Sequence, residues 1–457
     1  MAAVGSAVGL GNIWGFPNKM GANGGFPFLI LYLALALCCG VIIMLGELAL
    51  GRKTGHGAVG AYQSISKRFK WLGWLGIAAA ALIFSFYSAL GGYCLRYVVV
   101  NFGNLIGAEF GTNGVGGADV FQGLLSQPDV SIAFALAFMF ITMLVVMSGV
   151  GGGIERVCSV GMPALFFILI ICIIRSCTLP GAADGLKYMF VPGWAVANGI
   201  IDEAPGFWRV LTAAGGQMFF SLSLGAGVMI TYGSYLDKKQ DLGKSTMIIV
   251  GMDTVVALMA GLCVIPGRFA LDPNGALGGP ELLFITMQNV FDKMGPAGPV
   301  FGILFYLLVF FAAISSSISM LEVIVAHFCD KAREKGKGDR RKLYSAIVVV
   351  ICAALCALVC ADGMGSNHIS PAELLGLAGA KLPGWSTSWL GLFDSVAEGL
   401  LMPLGALLMC LMISWELKPD VLRQEILLNG ENRPWVYDFF RLCVKYITPL
   451  CMLMILY

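Results

Sequence analysis

Charged side chains are scarce in this chain. Asp, Glu, Lys and Arg make up 12% of its 457 residues, whereas hydrophobic residues make up 58%. Soluble domains contain about 25% charged residues, so the composition excludes an ordinary water-soluble protein. Together with a mean hydropathy of +0.84, it predicts an all-α membrane protein whose main solvent is the lipid bilayer. The basic residues form no stripe with interleaved aromatic residues, which excludes nucleic acid as a partner.

The residue patterns of metal, redox and enzyme sites are also missing. The three histidines are scattered, and the fourteen cysteines form no CxxC pair. Most of the cysteines lie inside apolar runs, as is typical of small buried hydrophobic side chains. There is no nucleophile–base arrangement and no phosphate-binding loop, and the first apolar stretch lacks the basic leader of a cleavable signal peptide. These absences favour transport or binding over catalysis.

Hydropathy and turn residues predict eleven membrane spans. Their approximate bounds are 1–22, 25–50, 72–98, 131–148, 158–178, 209–235, 246–267, 298–328, 343–361, 388–415 and 436–457. Lys and Arg concentrate in alternate connections, at 51–70, 236–245, 329–342 and 416–434, whereas 101–130 contains neither residue. Because basic loops stay on the cytoplasmic side, we expect a cytoplasmic N-terminus and, with an odd number of spans, an external C-terminus.

Spans 1 and 6 contain glycines and small polar residues where an uninterrupted helix is expected. The first reads GSAVGLGN over 5–12, and the second reads FFSLSLGAG over 219–227. Glycine costs about 1 kcal/mol relative to alanine inside a helix. A broken helix offers free N–H groups to a carboxylate and free carbonyl groups to a cation. Close packing of neighbouring helices through small residues is the alternative interpretation.

The two breaks lie five spans apart, and this odd offset inverts the second segment relative to the first. Two five-span halves that each open with a broken helix are typical of inverted-repeat transporters, which bind substrate and ions at the breaks. We therefore predict a single transporter domain over 1–457. It comprises repeats at 1–178 and 209–415 and one extra helix at 436–457.

Longer motifs surround both breaks. They are the segment from Gly5 to Trp14 followed by Phe16-Pro17, then GELALGR over 46–52, QMFFSLSLG over 217–225 and the three serines at 315–317. In these motifs the sequence resembles the neurotransmitter:sodium symporter family, and the likeness covers nearly the whole chain. The resemblance implies five-plus-five inverted repeats and sodium-coupled import of an amino acid by alternating access, here across a bacterial inner membrane.

The resemblance also implies two sodium sites built from oxygen atoms. The first would use the Ala7 carbonyl with Asn12, Ser221, Asp253 and the substrate carboxylate. The second would use carbonyl groups of Gly5, Val8 and Ala312 and the hydroxyls of Ser315 and Ser316. Hard oxygen ligands suit a hard cation, and the lack of formal charge in the second set favours a monovalent ion.

Asp253 is an ionisable residue inside apolar span 7, where such residues are functional by default. Many relatives carry Asn at this position, and chloride or a nearby Glu supplies the negative charge. The position that corresponds to that Glu is Ala257 here. We therefore expect Asp253 to supply the charge and transport to be chloride-independent. A protonated Asp in a structural hydrogen bond is the alternative.

The substrate pocket that the resemblance implies comprises ten residues: Ser6, Gly11, Ile83, Tyr87, Phe220, Ser221, Ser223, Ala226, Ser316 and Met320. Amine transporters of the family carry Asp at position 6. Serine there indicates a substrate that brings its own carboxylate. Ala226 stands where the family's bacterial leucine transporter has Phe, which leaves room for a larger side chain. The expected substrate is therefore a neutral hydrophobic amino acid, aromatic side chains included.

Four residues are expected to act as gates: Tyr87 and Phe220 as the outer lid, and Tyr235 and Asp330 on the cytoplasmic side. Gly15 replaces the Arg of the family's outer ion pair, so the outer gate is expected to work without that pair. The spans alone do not decide whether Asp394 or Glu398 faces the outer vestibule.

Asp330 matches an acid that pairs with an Arg of the family's N-terminal tail. Only four residues precede Gly5, which suggests that the sequence begins at an internal methionine. A variant with a short inner gate is the alternative, and Asp330 as a solvated loop charge is another. Glu47 is expected to support the break in span 1 or span 6.

Two other functions stay open at the level of sequence. Proton coupling would use Asp253 as the proton carrier. A sensor that binds an amino acid without cycling would need the same pocket. The sequence leaves the particular amino acid, the ion stoichiometry and the oligomeric state undecided.

Overall fold

The computed structural model describes residues 5, 7–274, 277–279, 282–336, 338, 340–376, 386–417, 420–427 and 434–456. Within these ranges every regular element is helical, which confirms the predicted all-α class. Nine continuous helices among these residues are long and apolar enough to cross a membrane. Spans 1 and 6 are not among the nine because each is interrupted, so the fold agrees with the eleven predicted spans.

The continuous spans occur in the predicted order. Their bounds are Phe26–Thr54 for span 2, Lys70–Ile106 for span 3, Pro128–Met147 for span 4, Glu155–Cys177 for span 5, Leu242–Leu271 for span 7, Gly298–Glu334 for span 8, Arg341–Asp362 for span 9, Trp389–Glu416 for span 10 and Trp435–Leu456 for span 11. After its break, span 1 continues as Gly11–Gly15 and Phe16–Ala22. Span 6 consists of Phe207–Leu222 and Val228–Gly233.

Span 3 extends eight residues beyond its predicted end at 98. The helix continues through Gly103 and ends at Gly107. The φ of Gly107 is 69°, which lies in the left-handed region that commonly ends a helix. Short helices also form in the connections on both sides of the membrane. They are Ala58–Ile65, Gly117–Leu125, Ala182–Phe190, Met287–Asp292 and Asp420–Ile426.

Glycines bring span 2 and the second half of span 6 into backbone contact. A Cβ built on Gly51 would lie 1.9 Å from the Ile230 carbonyl oxygen, and one on Gly233 would lie 2.5 Å from the Leu48 carbonyl oxygen. Side chains at these positions would force the helices apart. Span 8 packs along span 3 and also contacts spans 4 and 5.

Candidate functional site

The helix of span 1 is interrupted at Val8 and Gly9. The Gly9 N–H donates to the Asn12 Oδ1 at 2.8 Å, and the Leu10 N–H donates to the Tyr87 hydroxyl at 2.8 Å. A Cβ built on Gly9 would lie only 1.9 Å from the Ser316 Oγ. Glycine is therefore required here because spans 3 and 8 approach the backbone too closely for any side chain.

The helix of span 6 is interrupted between Leu222 and Val228. Ser223, Gly225 and Gly227 adopt left-handed φ angles of 53°, 76° and 73°. Buried Glu47 accepts a hydrogen bond from the Gly225 N–H through its Oε1 at 2.7 Å. The expected supporting role of Glu47 is confirmed, and the break it supports is the one in span 6.

Neighbouring helices contact the backbone of this second break directly. A Cβ built on Gly225 would lie 2.2 Å from the Met402 carbonyl oxygen of span 10. One built on Gly76 of span 3 would lie 3.0 Å from the Ala226 carbonyl carbon. The break is thus surrounded by protein, as unpaired peptide groups at membrane depth require.

Three of the four residues predicted for the first sodium site meet where the breaks face span 7. The Asn12 Nδ2 donates to the Asp253 Oδ1 at 2.7 Å and to the Ser221 Oγ at 3.0 Å. The Ser221 Oγ donates to both Asp253 carboxylate oxygens at 2.9 and 3.0 Å. All three side chains are buried. Ala7, the fourth predicted ligand, is a buried residue just before the break in span 1.

Tyr32 of span 2 completes this cluster. Its hydroxyl donates to the Asp253 Oδ2 at 3.1 Å. One carboxylate therefore accepts hydrogen bonds from spans 1, 2 and 6. A buried carboxylate with this many donors and no basic partner among them fits a site that a cation completes. These hydrogen bonds also stabilise the negative charge of Asp253 inside the protein.

The second predicted sodium site is assembled in part. The Ser315 Oγ of span 8 donates to the Val8 carbonyl oxygen at 3.1 Å and to the Ala312 carbonyl oxygen at 2.9 Å. Ser316, the other predicted hydroxyl ligand, faces Gly9. Gly5 lies before Val8 in span 1, and a Cβ built on it would lie 2.6 Å from the Cys158 Sγ of span 5. Uncharged oxygen atoms of spans 1 and 8 therefore converge at Val8, Ala312 and Ser315.

Tyr87 and Phe220, the two predicted lid residues, lie beside the breaks. Their ring centroids are 6.2 Å apart, and both rings are buried. A Cβ built on Gly11 would lie 3.0 Å from the Ser221 Cα and 3.2 Å from the Phe220 Cδ1. The structure thus brings together the predicted lid and the backbone at Gly11.

The remaining predicted pocket residues adjoin this centre. Ile83 and Met320 are buried one helical turn from Tyr87 and Ser316, respectively. Ser223 and Ala226 are buried within the break of span 6. Ser6 lies outside the described residues.

A sequence profile described as the sodium:neurotransmitter symporter family matches residues 1–113 and 118–457. The chain belongs to this family. YhdH, a sodium-dependent transporter of Bacillus subtilis strain 168, is 36% identical over 467 residues, which cover 100% of this chain and 94% of that protein. The sodium- and chloride-dependent GABA transporter ine of Drosophila melanogaster is 26% identical, over 80% of this chain and 41% of that protein.

Solved structures agree with this assignment. The crystal structure of MhsT in complex with L-phenylalanine matches with a TM-score of 0.84 and 34% sequence identity, over 99% of this chain and 96% of that chain. This symporter is therefore a multi-pass, sodium-dependent membrane transporter and not an enzyme.

A different ion pair lies close to the position of the family's outer pair. Gly15 stands where the family has Arg, so that pair was expected to be missing here. Lys19, one turn further along span 1, instead forms an ion pair with Glu398 of span 10. Gly216 of span 6 leaves room for that carboxylate, since its Cβ would lie 2.6 Å from the Glu398 Oε1. Glu398 is thus the acid that faces span 1, and Asp394 interacts with Lys19 electrostatically.

Tyr235 and Asp330, the two predicted cytoplasmic gate residues, contact different partners. The Tyr235 hydroxyl donates to the Glu322 Oε1 at 2.7 Å, and Arg341 donates to the Glu322 Oε2 at 2.5 Å. The Asp330 Oδ2 accepts from the Gly57 N–H at 3.0 Å, at the start of the helix Ala58–Ile65. Asp330 therefore anchors the connection between spans 2 and 3.

Sequence reasoning missed several residues that the structure places at these sites. Gln217 donates to the Gly11 carbonyl oxygen at 2.6 Å. It is the first residue of the motif over 217–225, but the motif did not indicate this contact. Glu322 is a fully buried carboxyl in an apolar span, which is a signal of function in itself. Tyr32 gives no such signal because a tyrosine in an apolar helix is ordinary.

Proposed function

We propose that this symporter imports one neutral amino acid with a hydrophobic side chain, aromatic side chains included, together with sodium bound at two sites. Asp253 carries the proposal. Its carboxylate joins Asn12 of the first break to Ser221 of the second break, so a cation bound there would couple the two broken helices. Alternating access then moves substrate and ions past the lid and the inner contacts in turn.

The uncharged pocket supports a neutral zwitterionic substrate. None of its ten residues carries a formal charge, so neither a basic nor an acidic substrate side chain would find a partner. The substrate carboxylate would bind near the Gly9 to Gly11 backbone and the Tyr87 hydroxyl, which already accepts from the Leu10 N–H. The MhsT complex with L-phenylalanine supports an aromatic substrate here.

Chloride independence is the second part of the proposal. The hydroxyls of Tyr32 and Ser221 and the amide of Asn12 all donate to Asp253. Donors that would otherwise hold an anion are therefore engaged by a carboxylate of the chain itself. Buried Ala257, one turn along span 7, provides no further charge.

We further propose that the N-terminus is cytoplasmic and the C-terminus external in a bacterial inner membrane. The basic connections at 51–70, 236–245, 329–342 and 416–434 would then share the cytoplasmic side. The repeat bounds 1–178 and 209–415 stay a prediction.

Uptake by purified protein in lipid vesicles tests the transport proposal. A panel of radiolabelled neutral amino acids is offered with an inward sodium gradient at fixed pH, and then with the gradient collapsed by an ionophore. Accumulation of a hydrophobic amino acid only with the sodium gradient supports the proposal. Uptake that follows a proton gradient without sodium would establish proton coupling, and binding without accumulation would establish a sensor.

Replacement of chloride by gluconate and the variant Asp253→Asn test the charge assignment. Wild-type uptake is expected to stay within about twofold in gluconate. Asp253→Asn is expected to weaken sodium affinity at least tenfold, or about 1.4 kcal/mol, because the fixed negative charge is lost. A clear chloride requirement of the wild type, or unchanged sodium affinity in the variant, would contradict the assignment.

A further inference from the structure

Oxygen-bearing side chains follow one face of span 8 from the second sodium site toward the cytoplasmic end. They are Ser315, Ser319 and Glu322, and all three are at least 95% buried. Their spacing of four and then three residues places them on the same side of the helix. The last lies seven positions after the first, so the line covers about 10 Å along the helix axis.

Contacts with span 6 continue this line. The Ser319 Oγ donates to the Ser315 carbonyl oxygen at 3.2 Å and shares a hydrogen bond of 2.8 Å with the Tyr232 hydroxyl. The Tyr235 hydroxyl then donates to Glu322 at 2.7 Å. Hydroxyl and carboxylate oxygens thus lie along the interface of spans 6 and 8.

Arg341 closes the line at the cytoplasmic end. It is the first residue of span 9, and its Nη1 lies 2.5 Å from the Glu322 Oε2. The Arg341 side chain is 17% exposed, whereas that of Glu322 is 1% exposed. Arg341 therefore stands between the buried carboxylate and the surface.

We propose that Glu322 is a transient sodium site on the path from the second sodium site to the cytoplasm. Arg341 occupies the carboxylate as a tethered cation while the inner side is closed. A buried carboxylate is costly without a counter-charge, so a departing sodium ion and the guanidinium compete for it. Carboxylate and hydroxyl oxygens suit sodium as ligands. This inference depends on the proposed sodium symport and adds a residue to its release step.

Comparison of net uptake with exchange tests the proposal. Net uptake requires sodium to leave on the inner side, whereas exchange of labelled for unlabelled substrate at equal sodium on both sides does not. Glu322→Gln is expected to slow net uptake at least fivefold. Exchange and the sodium dependence of substrate binding are expected to stay within twofold of wild type. Glu334→Gln, an exposed acid at the end of the same helix, is the matched control and is expected to change neither rate.

The double variant Glu322→Gln/Arg341→Gln removes both charges, so it leaves no buried charge without a partner. It replaces the single variant in this test if the single variant does not fold. It is expected to show the same slow net uptake with normal exchange. Equal loss of net uptake and exchange in the folded variants would show that Glu322 only closes the inner gate. Unchanged net uptake would also overturn the proposal. Absence of sodium-driven uptake in the wild type would instead refute the proposed function itself.

Discussion

Replacement of Lys19 by Gln tests whether its ion pair with Glu398 holds the outer side closed. The pair joins span 1 to span 10. On span 6, Gly216 contacts Glu398, and the lid residue Phe220 lies one turn further inward on the same face. The two side chains are 21% and 9% exposed, so water screens the pair only in part. Loss of the pair is therefore expected to favour opening above the lid.

The magnitude follows from this partial burial. Exposed ion pairs contribute about 0–1 kcal/mol, and hydrogen bonds to charged groups contribute roughly 1.5–3 kcal/mol. A pair between these limits is expected to contribute about 1.5 kcal/mol to the closed state. Since about 1.4 kcal/mol corresponds to a factor of ten, Lys19→Gln is expected to raise the open fraction of the outer side about tenfold.

Substrate release from the purified protein in saturating sodium measures this change. Labelled amino acid is bound, excess unlabelled substrate is added, and the dissociation rate is followed. Lys19→Gln is expected to dissociate about tenfold faster than wild type. Asp184→Asn is the matched control, because it removes an ion pair with Lys187 whose side chains are 52% and 51% exposed. That variant is expected to release substrate at the wild-type rate.

The charge-exchanged variant Lys19→Glu/Glu398→Lys separates electrostatics from packing. It restores an ion pair between the same spans, so its release rate is expected to return to within about threefold of wild type. The reasoning is refuted if Lys19→Gln releases substrate at the wild-type rate. Release from the exchanged variant as fast as from either single variant would also refute it.

Two further changes test the break in span 1 and an acid outside the spans. Gly9→Ala is expected to weaken sodium-dependent substrate binding more than tenfold, because the new Cβ would lie 1.9 Å from the Ser316 Oγ. Gly251→Ala, where the Cβ meets no atom within 4 Å, is the control in a binding assay, and equal affinity of both variants would contradict the steric argument. Partial desolvation raises the pKa of Asp292, although Gln288 donates to it. An acid whose pKa is raised on folding loses stability as pH increases through that value, so Asp292→Asn is expected to melt above wild type near pH 8. The difference in melting temperature is expected to shrink as the pH falls toward the ordinary aspartate value of 3.8, and a pH-independent difference would contradict the assignment.

The parts of the site that depend on local backbone chemistry were predictable from the sequence. Glycines in apolar spans predicted both breaks. The presence of an ionisable residue in apolar span 7 marked Asp253 as a functional residue. Side-chain pairs between distant spans were not predictable in this way. Lys19 and Glu398 are 379 residues apart, and attention to the family's Arg position at Gly15 overlooked a basic residue one turn away. Hydropathy shows how deep a residue lies, but not which neighbour it contacts.

The two interrupted spans have a consequence for biosynthesis. Within the part of the chain that the structure describes, neither is among the nine helices long and apolar enough to cross a membrane. Each unpaired peptide group in hydrocarbon costs several kcal/mol. Asn12 finds its partner Asp253 only 241 residues later in the chain. Span 1 is therefore expected to remain unsettled until span 7 has been made. In a nascent chain halted after span 6, span 1 should be sensitive to protease. Full protection at that stage would show that the first break is stable without its partner.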